Sequence, residues 1–137
     1  MEAISLLASL AQLIDAAGKV IRYLHDVKDA PKARAQIAQE ASLLVGFLTS
    51  LRLRLQYADA QDPWVTGVLS LAGANGPLAQ FKEVLNLLEK KLLDPANSGS
   101  TRKALKWPFE KKEVSEWLQR MERLKSFVLL ALQGDIL

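Results

Sequence analysis

The chain has 137 residues, 50% of them hydrophobic, with 18 basic and 15 acidic side chains for a net charge of +3. That length suits a single domain with a sizeable buried core, and so small a charge argues against nucleic acid, which needs a concentrated basic face with base-reading or stacking groups. Cysteine is absent and histidine occurs once, which excludes disulfides and thiolate metal sites and favours an intracellular location.

Met1-Glu2-Ala3-Ile4-Ser5 is no secretory signal, because its early charge is negative and no small-residue cleavage site follows an apolar stretch. The longest uncharged run near the front, Ala3 to Ile14, has twelve residues, short of the roughly 20 that span a bilayer. The chain is therefore expected to be soluble. The first helix is predicted over residues 3–28, with Leu7, Leu10, Ile14, Ala17, Ile21 and Leu24 at helical spacing. Leu6, Leu13, Val20 and Val27 widen that stripe, while Gln12, Asp15, Lys19, Arg22 and Asp26 lie away from it.

Asp29-Ala30-Pro31 supplies an N-cap and an early proline for a second helix that runs to about Tyr57, with Ile37, Ala41, Leu44, Leu48, Leu51 and Leu55 on one face. The alternation Leu51-Arg52-Leu53-Arg54-Leu55 would suit a strand in isolation, but the helical pattern before it favours helix. Asp62-Pro63 opens a short third helix through Trp64, Val65, Val68, Leu69 and Leu71, which Gly73 to Pro77 breaks. A fourth follows from Leu78 to Leu93 with Phe81, Leu85, Leu88 and Leu92 on one face, and then a loop from Asp94 to Ser100. A short helical turn is expected before Trp107. The last helix runs from about Glu110 to Gln133, with Val114, Trp117, Met121, Leu124, Val128 and Ala131 inward and Gly134 as its stop. No strand is predicted, so the fold class is all-α, an up-and-down bundle of four to five helices forming one domain over residues 1–137. Ser126 through Gln133 carries no charge; that end is either buried centrally or meets something beyond the domain. A helix ending so near the last residue points to the N-terminal part of a longer protein.

The residues hold no catalytic inventory, and no enzyme or cofactor is expected. His25, the single histidine, lies beside the apolar stripe near Asp26, where packing or capping is the ordinary role. Glu110, Glu113 and Glu116 share one helix face and favour the positive end of the helix dipole. Gly73 and Gly76 lack the Gly-Lys-Ser/Thr of a phosphate-binding loop. Trp107-Pro108-Phe109 joins two helices, because a proline ends one and seeds the next. Its aromatics are read as a plug at that junction rather than as a stacking platform for bases. Arg102, Lys103, Lys106, Lys111 and Lys112 surround it against Glu110 alone, either as a solvated turn or as a docking patch for acidic lipid or a partner. The N-terminal helix is the best functional candidate. Its uncharged start is either an ordinary core helix or one buried at rest and exposed on activation, when it would meet a membrane or copies of itself.

Leu105-Lys106-Trp107-Pro108-Phe109, together with Leu118 to Lys125 and Leu129 to Asp135, resembles the fungal N-terminal domain of STAND or NLR-like proteins, the HeLo-like group. Met1 to Leu24 and Ala30 to Leu55 also fit that layout, so the likeness spans nearly the whole chain. The resemblance implies a helical bundle at the front of a receptor with a NACHT or NB-ARC module, similar to the four-helix bundle of the mixed lineage kinase domain-like necroptosis executor. It implies a cell-death effector in fungal immunity and heterokaryon incompatibility that self-associates, moves from the cytoplasm to the plasma membrane and permeabilises it. By position, the inserting face would be Ile4, Leu6, Leu7, Leu10, Leu13 and Ile14, with the five basic residues around Trp107 attracting anionic lipid. Gly18 is the only glycine before Gly46, so the glycine-rich zipper of some relatives is missing, which favours surface insertion or an amphipathic assembly. The alternative is an adaptor or oligomerisation module that recruits another effector protein.

Overall fold

The structure, a computed structural model, describes residues 3–27, 29–59, 61–93 and 107–134, apart from the side chain of Leu71. Five α-helices account for most of it: α1 Ala3–His25, α2 Pro31–Gln56, α3 Pro63–Leu69, α4 Pro77–Leu92 and α5 Lys111–Gln133, with a single 3-10 turn over Ser70–Ala72 after α3. No β-strand occurs among the described residues, and the all-α bundle expected from periodicity is the observed fold. In α1 the buried positions are Leu6, Leu10, Leu13, Ala17, Val20 and Leu24, the alternating four- and three-residue step of a helix with one inward stripe. The Leu51 to Leu55 alternation is helical: Leu51 and Leu55 share the buried face, one turn apart, while Leu53 is 56% exposed.

Local chemistry sets the helix ends. The Asp62 carboxylate accepts the Trp64 amide at 2.9 Å and Pro63 follows at N1, so α3 starts where an N-cap and a preset φ coincide. In α5 the Glu110 and Glu113 side chains form a capping box, the Glu110 amide donating to Glu113 Oε1 at 3.1 Å. Glu116 is exposed one turn further on. Gly134 ends the helix at φ 81°, a left-handed value that glycine adopts without a Cβ clash. The start of α2 differs from expectation. Its N-cap is Ala30, at φ 53° and ψ 53°, with no side-chain cap; the Asp29 carboxylate instead accepts the Trp107 amide at 2.8 Å. The predicted loop at Asp94 to Ser100 and the turn before Trp107 lie outside the described residues.

Ion pairs and hydrogen bonds give the helix directions. Arg54, near the end of α2, donates to the Leu132 carbonyl near the end of α5 at 2.8 Å, and Glu40 meets Lys125 at 3.3 Å further back on both helices. Helices α2 and α5 therefore run parallel. Lys91, at the end of α4, pairs with Glu113 at the start of α5 at 2.9 Å, so those two are antiparallel. With α1 and α2 joined by a short connection and packed together, the order around the bundle is α1, α2, α5, α4. Direction alternates along the chain, as in an up-and-down bundle. The link from α2 to α4, however, crosses the bundle diagonally at one end, where α3 touches α1 and α5 and the 3-10 turn touches α4. The other end holds the α1–α2 connection and Trp107. All the helices feed one hydrophobic core.

Candidate functional site

The six apolar residues expected to insert do not form one free face. Leu6, Leu10 and Leu13 are buried, Leu7 and Ile14 are half-buried at the edges of the stripe, and Ile4 stands outside at 75% exposure. The outward side of the same turns carries Ser5 and Ala8, both exposed and uncharged. Among the described residues, α1 is the one helix long and apolar enough to cross a membrane, at roughly 34 Å for its 23 residues against a hydrocarbon thickness of about 30 Å. A core helix passes the same test, and α1 contributes six buried residues to the core here.

Of the five basic residues, Lys111 and Lys112 are exposed on the first turn of α5, whereas Arg102, Lys103 and Lys106 lie outside the described residues. Two lysines oppose the positive end of a helix dipole; the capping box and the Lys91–Glu113 pair offset them. The Glu113 carboxyl is held below its ordinary value, first by the Glu110 amide it accepts and then by Lys91. Between the first halves of α2 and α5 runs a groove of about 990 Å³ whose walls include Lys32, Trp107, Lys111, Val114 and Leu118. Lys32 and Lys111 thus flank apolar surface there, and Glu40 and Glu122 line the same groove.

The structure does not bring the two predicted regions together. The start of α1 lies at the α3 end of the bundle, and Lys111 and Lys112 lie at the Trp107 end, about one helix length, ~34 Å, away.

Trp107, Phe109 and Trp117 form an edge-to-face ladder, with centroids 4.9 and 4.8 Å apart and planes at 82° and 81°. Phe109 and Trp117 are buried, so the aromatics plug the approach to α5 as expected. Two clusters escaped sequence reasoning. At the α3 end the buried Trp64 indole donates to the Ala131 carbonyl at 2.7 Å, and the Arg54 guanidinium stacks over the Trp64 ring at 4.1 Å while bonding the last carbonyls of α5. Mid-bundle, Lys125 bridges Glu122 at 2.7 Å and Glu40 at 3.3 Å. The Glu122 bond is the main cause that raises the Lys125 pKa, with Glu40 adding to it and partial desolvation opposing. Each joins residues more than 65 positions apart or spans two helices, which local spacing does not encode. His25 is exposed at the end of α1, and no group of three metal-ligating side chains occurs among the described residues.

The chain matches no protein-family model, no curated protein and no solved structure.

Proposed function

We propose that this bundle is a non-enzymatic effector domain whose α1 leaves the core on activation, self-associates and enters anionic membranes. One observation carries the proposal: α1 is at once a core element and the one described helix with the length and composition of a membrane span. The groove flanked by Lys32 and Lys111 supports a docking step, each lysine near an anionic surface contributing about 1 kcal/mol. The resemblance to HeLo-like domains supports the same reading, with the domain in front of a NACHT or NB-ARC module and moving from the cytoplasm to the plasma membrane. Nucleic acid has no place in it.

Release of α1 withdraws six buried side chains from the core, on the order of 10 kcal/mol at about 1.5–3 kcal/mol each. Hydrocarbon restores that term, whereas water does not, so insertion rather than mere exposure is the stable outcome. The test is leakage from phosphatidylserine vesicles against phosphatidylcholine vesicles. Leakage of the first alone, reduced by Lys111→Glu with Lys112→Glu, supports the proposal; no binding to either at high protein concentration contradicts it.

A second reading, an adaptor that recruits another effector, is favoured by Phe127 and Leu130, exposed on the uncharged final turns of α5. It expects a stoichiometric complex lost on Phe127→Ser with Leu130→Ser, with vesicles intact throughout.

A further inference from the structure

The connection between α1 and α2 is held in a conformation its own sequence disfavours. Ala30 sits in the left-handed region at φ 53°, ψ 53°, where an L-residue with a Cβ is strained by contact with the following carbonyl. Pro31 comes next, and a residue before proline is pushed toward extended values, with φ near −120° and ψ about +120° to +160°. No side-chain cap offsets this at the start of α2.

Two long reaches hold the connection in place. The Asp29 carboxylate accepts the Trp107 amide at 2.8 Å, across 78 residues, and a carboxylate acceptor makes this a strong bond. On the other side Arg34 Nη1 donates to the Val27 carbonyl at 2.7 Å, while the buried Arg34 Nε has no partner among the described residues. The α1 arm is thus tied at its base to α2 by one bond and to the approach of α5 by another.

We infer that Ala30 is the hinge about which α1 swings out of the bundle, and that the Asp29–Trp107 and Arg34–Val27 bonds are the latch that keeps it closed. This rests on the membrane reading for its purpose, but not for its mechanics. Relaxation of Ala30 toward extended values rotates the whole arm relative to α2, so strain at one residue biases a helix of 23. The hinge lies at the Trp107 end, on the side of Lys111 and Lys112, so the base of the arm stays near those lysines while its free end, one helix length away, leaves the α3 end of the bundle.

Native-state hydrogen exchange on the whole chain, without lipid, tests the hinge by itself. Asp29→Ala is expected to speed exchange of α1 amides about 10-fold or more while leaving α5 protection unchanged. Ala30→Gly removes the Cβ strain and is expected to slow α1 exchange about 5- to 30-fold. Equal acceleration in α1 and α5 on Asp29→Ala, or unchanged or faster α1 exchange on Ala30→Gly, overturns the hinge. Because Ala30→Gly favours the folded state, a failure of Asp29→Ala to fold leaves the second arm decisive. An arm that opens as described but never leaks vesicles overturns the membrane reading alone, and leakage with α1 exchange insensitive to Ala30→Gly overturns the hinge alone.

Discussion

Charges placed on opposite sides of α1 separate its role in the bundle from its role in a membrane. Leu10 is fully buried, so Leu10→Glu forces a carboxylate into the core, with an expected loss above about 4 kcal/mol. Against a total of about 5–15 kcal/mol for a domain, that variant unfolds or nearly so, and its failure to act on membranes says nothing. Ile4 and Ala8 face outward. The pair Ile4→Glu with Ala8→Glu is expected to change stability by no more than about 0.5 kcal/mol, since surface substitutions seldom do more. In an inserted α1 the same pair lies in or near hydrocarbon. An acidic side chain at the bilayer centre costs about 2.5–3.5 kcal/mol, and Ala8 sits about 9 Å from the middle of the helix. About 2–3 kcal/mol for the pair is a reasonable sum, or roughly a 30- to 150-fold loss of insertion. Urea unfolding followed by circular dichroism reads the first quantity, and vesicle leakage against protein concentration reads the second. The reasoning is refuted if the pair lowers stability by more than about 2 kcal/mol, or if leakage persists unchanged in a folded pair variant.

Arg54→Met and Trp64→Phe share the Ala131 carbonyl and a stacked contact, so a double-mutant cycle in urea is expected to give about 0.5–1.5 kcal/mol of coupling; additive effects would sink the shared-cap account. Gly46 is exposed in the middle of α2 with nothing within 4 Å of a Cβ placed there, so Gly46→Ala is expected to stabilise by about 1 kcal/mol, and a drop in the urea midpoint would contradict it. The Glu113 carboxyl is held below its ordinary value of 4.5, so its contribution is present above that pH and is lost as pH falls through the depressed folded value. The stability difference between the wild-type chain and Glu113→Gln is therefore expected to be constant from pH 7 to about 5 and to shrink below 4.5; a difference that grows in acid would refute the assignment.

The helices were legible because burial imposes a 3.6-residue rhythm that the apolar residues of α1, α2 and α5 keep almost without interruption. Periodicity identifies the apolar stripe but not what covers it. The six-residue insertion set therefore mixed core leucines with the outward Ile4. Asp29 looked like an N-cap because it precedes Ala30-Pro31, as a capping residue often does; its actual partner lies 78 residues on. The diagonal link and the parallel α2–α5 pair depend on which helices share edges, and loop length does not determine that. The packing of Trp107 and Phe109 at the start of α5 was readable, since aromatics beside a proline act locally, whereas the helical turn expected before them lies outside the described residues.

The most direct test of α1 insertion uses the lack of cysteine in the chain. A single Ala8→Cys variant carries an environment-sensitive NBD probe at a position exposed at rest. On mixing with phosphatidylserine vesicles, the probe is expected to shift to the blue and to be quenched by lipids brominated in their acyl chains, in step with leakage. A probe that stays in water while the vesicles leak would contradict the insertion of α1.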